Sequence, residues 1–280
     1  MRLQPRLTQV LAVSLLGAAT ALTLAILVFI ITFILDKGLP VISLQFLFSN
    51  PDVSDSGATG GIFPMLVTTI LLPLLAIAIA LPLGVGTAVY LAEYTRENRL
   101  TPVIRFGTDC LAGVPSIIFG LFGFIFFVTI LHMGWSLLSG GLTLALMILP
   151  TIIRTSEEAV RAVPNAYREV SFSLGATRWW TVVRVVLPNA LPGIVTGVML
   201  GIGRSIGETA AVIFTAGSST RMPTSIFDSA CTMAVYFYNV ATEEGPNAKA
   251  YGTAAVLIIL VLLVNMIAYW LMHRFMRRNA

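Results

Sequence analysis

The sequence predicts an all-α, polytopic membrane protein with six transmembrane helices. Three observations carry that prediction. Of its 280 residues, 57% are hydrophobic and 11% charged, whereas a soluble domain carries about a quarter charged residues. Mean hydropathy is +0.90. The charges sit in short segments between long apolar runs, as expected of helices that satisfy their own backbone in lipid. A spanning barrel would instead show alternating segments of roughly ten residues, and the sequence has none.

The apolar runs are Leu11–Leu35, Pro64–Leu91, Val103–Leu131, Gly141–Ile153, Ala190–Ala216 and Tyr251–Met272. All but the fourth exceed the roughly 20 residues that cross the hydrocarbon, and the fourth extends back to Trp135 if needed. The first run is longer than a signal-peptide core. Asp36 and Lys37 follow it instead of small residues, so it is expected to stay as a spanning helix. Pro73, Pro82, Gly84 and Gly86 in the second run read as bending and packing features.

Orientation follows from Lys and Arg. Thirteen fall in the N-terminus, the second-to-third segment, the fourth-to-fifth segment and the C-terminal tail. Three (Lys37, Arg221 and Lys249) fall on the other side. The positive-inside rule then predicts cytoplasmic termini. The net charge of +4 reflects this topology and not nucleic-acid binding. Cys110 and Cys231 are expected on opposite faces without a disulfide, and no metal-ligand spacing is present. Outside, Asn50-Pro51-Asp52 and Gly60-Gly61 read as turn material. The apolar stretch Cys231–Val240, between Pro223 and Pro246, reads equally as a re-entrant helix or as a helix packed on the outer face.

The longest polar interruption lies between runs four and five. Its first part, through Ala162, favours helix. Pro164-Asn165 breaks it. Ala166–Leu174 forms a short helix, and Gly175 stops it by taking the left-handed conformation without Cβ strain. Trp179-Trp180 opens another helix, which Pro188 is expected to end. Within this loop, Glu169 is followed six residues later by Gly175. After nine intervening residues comes Val185-Val186-Leu187-Pro188.

That spacing resembles the signature loop of ABC-importer permeases: Glu-Ala-Ala, three residues, Gly, nine residues, Ile-x-Leu-Pro. Val170 and Ser171 replace the two alanines, and Val185 replaces the isoleucine. The resemblance implies a type I ABC importer permease fold and a coupling helix that docks on a cytoplasmic ATPase. It implies docking through Glu169, Leu174, Gly175, Ala176 and Thr177, with Trp179 and Trp180 filling the groove or seating the loop at the interface. The chain has no G-x-x-x-x-G-K-[ST] phosphate-binding loop. It is therefore expected to be a transport subunit and not an enzyme, binding no cofactor itself and leaving ATP and magnesium to the partner ATPase.

Run five contains Arg204 and Glu208, four apart on one expected helical face and costly to bury. Two readings stay open. The pair neutralises itself and holds helices together, or Arg204 lines an aqueous path and meets an oxyanion through its forked donors. Ser205 and Thr209 stand nearby as hydroxyl donors. Gly113–Gly123 (GVPSIIFGLFG), Gly60–Pro64 (GGIFP) and the Arg204–Thr209 stretch are similar to bacterial phosphate-specific ABC permeases of the A type, PstA-like. The likeness covers about 60–274, the expected core of one permease domain spanning 1–280, with its coupling loop at 154–189. It implies a second permease (PstC-like), an ATPase dimer (PstB-like), an extracytoplasmic phosphate-binding protein (PstS-like), and residence in the bacterial inner membrane. The rivals are an importer of sulfate or molybdate, an ion-driven secondary transporter, whose inverted repeat is not seen, and a non-transporting scaffold.

Overall fold

The structure is a computed structural model. It describes residues 5–51, 60–95, 100–243, 245 and 247–279, with backbone alone for 5–8, 100 and 271–279. Arg2, Asp52, Arg96, Arg99 and Pro246 lie outside the described residues, as do the side chains of Arg6, Arg274, Arg277 and Arg278. Among the described residues there is helix and no strand.

The chain runs through α1 (Pro5–Gly38), α2 (Leu44–Phe48), α3 (Phe63–Val89), α4 (Leu100–Ala112), α5 (Ser116–Gly123) and α6 (Leu137–Ala162). It continues through α7 (Asn165–Ser173), α8 (Arg178–Thr181), α9 (Leu187–Ile206), α10 (Ala210–Thr215), α11 (Met233–Glu243) and α12 (Ala248–Asn279). Three stretches widen into π-helix: Tyr90–Tyr94 after α3, Phe124–Ile130 after α5 and Val182–Val186 after α8.

Among the described residues, five helical stretches are long and apolar enough to span a membrane: Gln9–Val41, Phe63–Tyr94, Leu137–Ala162, Arg178–Ile206 and Ala248–Trp270. The expected third span is present as a bent pair: Thr101–Ala112 and Ser116–Ile130 meet at 99°, and counted as one span they bring the number to the expected six. The bend falls at Gly113-Val114-Pro115. Proline disfavours α conformation in the residue before it and has no N–H to continue the ladder.

The centre of the molecule is α3 packed along α6, with α9 packed on α6 and also touching α3. Met65, Leu72, Leu144, Met147, Ile148 and Ile152 are fully buried there. In lipid such contacts are held by close packing, because tails are as apolar as leucine. Gly197 lets α9 approach α6, since a Cβ at that position would collide with Thr155. A second apolar cluster, with Val89, Val160, Val163, Val182 and Val186, sits where α6 ends and the α7–α8 loop begins. α1 leans on α12 and leaves most of its surface uncovered.

The expected fifth span, Ala190–Ala216, is corrected. Helix starts at Arg178, passes through the π stretch and α9, and stops at Ile206; Gly207–Thr209 break it before α10. Pro188 does not end a helix. It lies inside the continuous helical run, directly after the π stretch Val182–Val186, where the wider turn takes up the hydrogen bond that proline cannot make. The fourth run extends to Leu137–Ala162, with the Ser136 hydroxyl accepting from Ser139 N at its start. The stretch containing Cys231 folds inward. Ala230, Cys231 and Met233 are buried, and the Met233 amide donates to Thr69 Oγ1 at 2.8 Å. Both cysteines are free thiols, Cys110 exposed and Cys231 buried.

Candidate functional site

The Glu169–Pro188 segment folds as the hinged pair that its sequence suggests. α7 ends at Ser173, Gly175 has φ +80°, and α8 starts at Arg178. The turn satisfies the orphan carbonyls of α7: Leu174 N donates to Val170 O, Gly175 N to Phe172 O and Ala176 N to Ser171 O. Thr177 caps α8, its hydroxyl accepting from Trp180 N at 3.3 Å. Nothing stands within 4 Å of the place a Cβ would take on Gly175. The turn therefore needs glycine for its backbone and presents an open surface.

That surface is apolar. Leu174 is 83% exposed, and Tyr167, Val170, Phe172, Trp179 and Trp180 are exposed around it. Single exposed hydrophobics are ordinary, but a contiguous group on a polar loop marks a contact surface. Glu169 is exposed, and its carboxylate has no partner among the described residues. Trp179 also borders a cleft of about 500 Å³ that is lined by Val85, Val89, Tyr90 and Tyr94. The Arg178 guanidinium lies 5.7 Å from the Tyr94 ring centre.

The opposite side of the loop is anchored. The Ser171 and Thr181 hydroxyls share a buried hydrogen bond. Arg168 pairs with Glu93 beyond α3 and donates to two carbonyls at the end of α6. Nearby, Glu157 of α6 accepts from Arg105 of α4 at 2.7 Å and from Arg161 at 3.0 Å. Arg154 reaches Asp109 at 2.8 Å. Ion pairs thus hold α4 to α6 at the arginine-rich end of the bundle.

The Arg204–Thr209 group lies at the break between α9 and α10. The expected Arg204–Glu208 pairing on one helical face does not occur, because the helix ends between them. Glu208 instead turns toward α10, and its Oε1 accepts from Ala211 N at 3.2 Å. Arg204 is exposed and has no hydrogen-bond or ion-pair partner among the described residues. The neighbouring Gly203 and Gly207 face open space. Ser205 is buried beside it, with a hydroxyl that lacks a partner. Thr209 lines a cavity of about 950 Å³ bounded by Phe124, Trp135, Phe214 and Tyr238. α5 comes close to this break at Gly120, where a Cβ would stand 2.9 Å from Ala211 Cα. Chemically, the break offers an unspent guanidinium, a forked donor suited to an oxyanion, while the Ser205 hydroxyl stays buried behind it.

Sequence reasoning missed the supports of both regions. Glu93, Arg168, Ser171, Thr181 and the Glu157 cluster received no role, although Arg168 adjoins Glu169. Their only sequence signal is a charge or hydroxyl at the margin of an apolar run. The Glu93–Arg168 pairing crosses 75 positions.

A bundle of spanning helices with an exposed apolar loop at its charged end and a guanidinium at a helix break defines a multi-pass membrane transport subunit. Comparison places it further. The chain belongs to the family described as binding-protein-dependent transport system inner membrane component, whose sequence profile matches residues 80–280. It is a permease subunit of an ABC importer. It is 37% identical over 282 residues to the probable ABC transporter permease protein YqgI of Bacillus subtilis, covering 95% of both chains. It is 35% identical over 212 residues to the phosphate transport system permease protein PstA 1 of Mycobacterium tuberculosis, covering 75% of this chain and 69% of the relative. In fold it resembles the crystal structure of a bacterial alginate ABC transporter, with TM-score 0.65, 14% identity and coverage of 94% and 93%.

Proposed function

We propose that this chain is the A-type permease of an ATP-driven phosphate importer and forms half of the translocation path. The unpaired guanidinium of Arg204, exposed at the α9–α10 break, carries this reading. A guanidinium offers forked donors to a tetrahedral oxyanion. The identity with PstA 1 supports phosphate among the oxyanions. Thr209, on the neighbouring cavity, supplies a hydroxyl donor, Ser205 stays buried behind Arg204, and Glu208 orders the start of α10.

Both termini face the cytoplasm in this reading, as the distribution of Lys and Arg supports. The Glu169–Pro188 loop docks on a PstB-like ATPase dimer that binds ATP and magnesium. Glu169, Leu174, Gly175, Ala176, Thr177 and Trp179 form the contact. A PstC-like permease completes the path, and a PstS-like protein delivers phosphate from outside. ATP-driven closure of the dimer moves the loop, re-aims the spans and lets phosphate pass Arg204.

The test is uptake by the four-component complex in proteoliposomes. Arg204→Ala is expected to abolish phosphate uptake while the complex still assembles, and Arg204→Lys to retain a fraction of it. Gly175 and Leu174 variants are expected to lose the ATPase on purification. ATPase stimulation by sulfate or molybdate in preference to phosphate would move the assignment to another oxyanion. Uptake by this chain alone would make it a secondary transporter, and normal uptake by Arg204→Ala would remove Arg204 from the path.

A further inference from the structure

One guanidinium joins three elements at the arginine-rich end. Nε and Nη2 of Arg168, on α7, both donate to Glu93 Oε1, at 2.9 and 2.7 Å. Nη2 also donates to Val160 O at 2.8 Å, and Nη1 to Val163 O at 2.6 Å. A longer contact of 3.3 Å reaches Asn165 Oδ1. The side chains of Arg168 and Glu93 are 14% and 9% exposed, the most enclosed ion pair among the described residues.

The three elements have different stations. Glu93 lies in the π turn that continues α3. Val160 and Val163 are at the end of α6, where helix carbonyls run out of i+4 donors; Val160 O has only a long 3.4 Å bond from Val163 N. α7 and its C-cap carry the exposed Tyr167, Val170 and Leu174 outward while Arg168 points inward. α3 and α6 are the two helices at the centre of the fold. Without Arg168, α7 would still be joined to α6 by the chain, but its hydrogen bonds to Glu93, at the end of α3, would be gone.

We propose that Arg168 is a positioning residue that transmits displacement of α7 to α3 through Glu93, so that α3 and α6 move with the loop as one body. The proposal rests on the reading of α7–α8 as the ATPase contact. The guanidinium geometry is specific. A planar fork serves a carboxylate and two carbonyls at once, which a lysine ammonium on a flexible stem does not reproduce in the same directions. The π turn at Tyr90–Tyr94 puts the carboxylate at the end of a continuous helical path into the core.

The experiment measures phosphate delivered per ATP hydrolysed by the reconstituted complex. Coupling free energies of ordinary size correspond to changes of about fivefold or more, and that loss is expected for Glu93→Ala. This variant leaves the two carbonyl acceptors of Arg168 and the exposed loop residues unsubstituted. The ATPase should still copurify and hydrolyse ATP. Glu93→Gln keeps an accepting oxygen and should hold the ratio near the parent value, and Arg168→Lys should fall between. A parent-like ratio in Glu93→Ala would overturn the proposal. Should Glu93→Ala not assemble, Arg168→Lys decides alone, and a parent-like ratio there overturns it too. If the docking reading itself is wrong, Leu174 and Gly175 variants will retain the ATPase, which separates that failure from this one.

Discussion

Ser171 Oγ and Thr181 Oγ1 lie 2.8 Å apart, both buried, and join α7 to α8 across the Gly175 turn. The bond makes a short loop behave as one piece. Removing one partner leaves the other hydroxyl desolvated and unsatisfied, at a cost of about 1–3 kcal/mol, whereas removing both is close to neutral. Thr181→Val should therefore lower the unfolding temperature of the purified chain and weaken amide-exchange protection across α7. Adding Ser171→Ala should recover part of the loss. Strict additivity of the two substitutions would show that the hydroxyls do not depend on each other.

Gly175 has φ +80° and open space around it. A side chain there meets no neighbour, so any penalty is in the backbone. A left-handed conformation costs an ordinary residue about 1–2 kcal/mol, and asparagine is among the better tolerated. Gly175→Val should loosen the turn in exchange measurements, and Gly175→Asn should keep its shape. Equal protection in both variants would place the penalty elsewhere.

The legible parts of this fold are those with a local cause. The long apolar runs gave the spanning helices, and Gly175 gave the loop its hinge, because hydropathy and left-handed backbone are written in consecutive residues. The 99° bend at Gly113–Pro115 was in plain sight, but the apolar run continues through it and hid it. The Arg204–Glu208 spacing suggested a helical pair and misled, since Gly207 ends α9 between them. The anchors of the loop were illegible for another reason. Glu93 meets Arg168, and Arg105 meets Glu157, only because α3, α4, α6 and α7 converge at one end. A single sequence carries no record of such meetings.

Glu157 holds α4 against α6 through Arg105. Its side chain is 11% exposed while that of Arg105 is 40% exposed. Removing one member of a fully buried pair costs about 3–5 kcal/mol, but solvent screening at the arginine lowers this to about 1–2 kcal/mol. Glu157→Ala should therefore lower thermal stability modestly and selectively raise amide exchange in α4. The Arg154–Asp109 pair is more exposed, so Asp109→Ala should have a smaller effect. The reverse order of the two variants would contradict this account.

Asp228 sets the loop between α10 and α11 beside the start of α6. Its Oδ2 accepts from Thr224 N, Thr224 Oγ1 and Ser225 N. Backbone bonds from Thr224 and Ser225, then the Thr224 hydroxyl, hold its carboxyl below the usual carboxylate range. A depressed folded value means the unfolded chain takes up the proton first as pH falls. The stabilisation is present above the usual carboxylate pKa and is lost as pH drops through the depressed value. Leu137 and Leu138 donate to Asp228 O and Ile226 O in the same loop. Their exchange protection should stay flat from neutral to mildly acidic pH and fall only in stronger acid. Asp228→Asn should lower protection at neutral pH and remove this dependence.

Glu208 separates two roles by a pair of substitutions. Its Oε1 accepts from Ala211 N and so orders the start of α10, while Arg204 stands apart from it. Loss of a helix-start acceptor costs about 0.5–2 kcal/mol. Glu208→Ala should destabilise the chain by about that amount and loosen α10. Glu208→Gln keeps an accepting oxygen and removes only the charge, so stability and phosphate uptake should remain near the parent values. If the charge itself restrains Arg204, Glu208→Gln would instead tighten phosphate binding and slow its release. Measuring phosphate affinity and uptake in both variants distinguishes a cap from a counter-charge. The observed hydrogen bond, with no Arg204 contact beside it, predicts the cap.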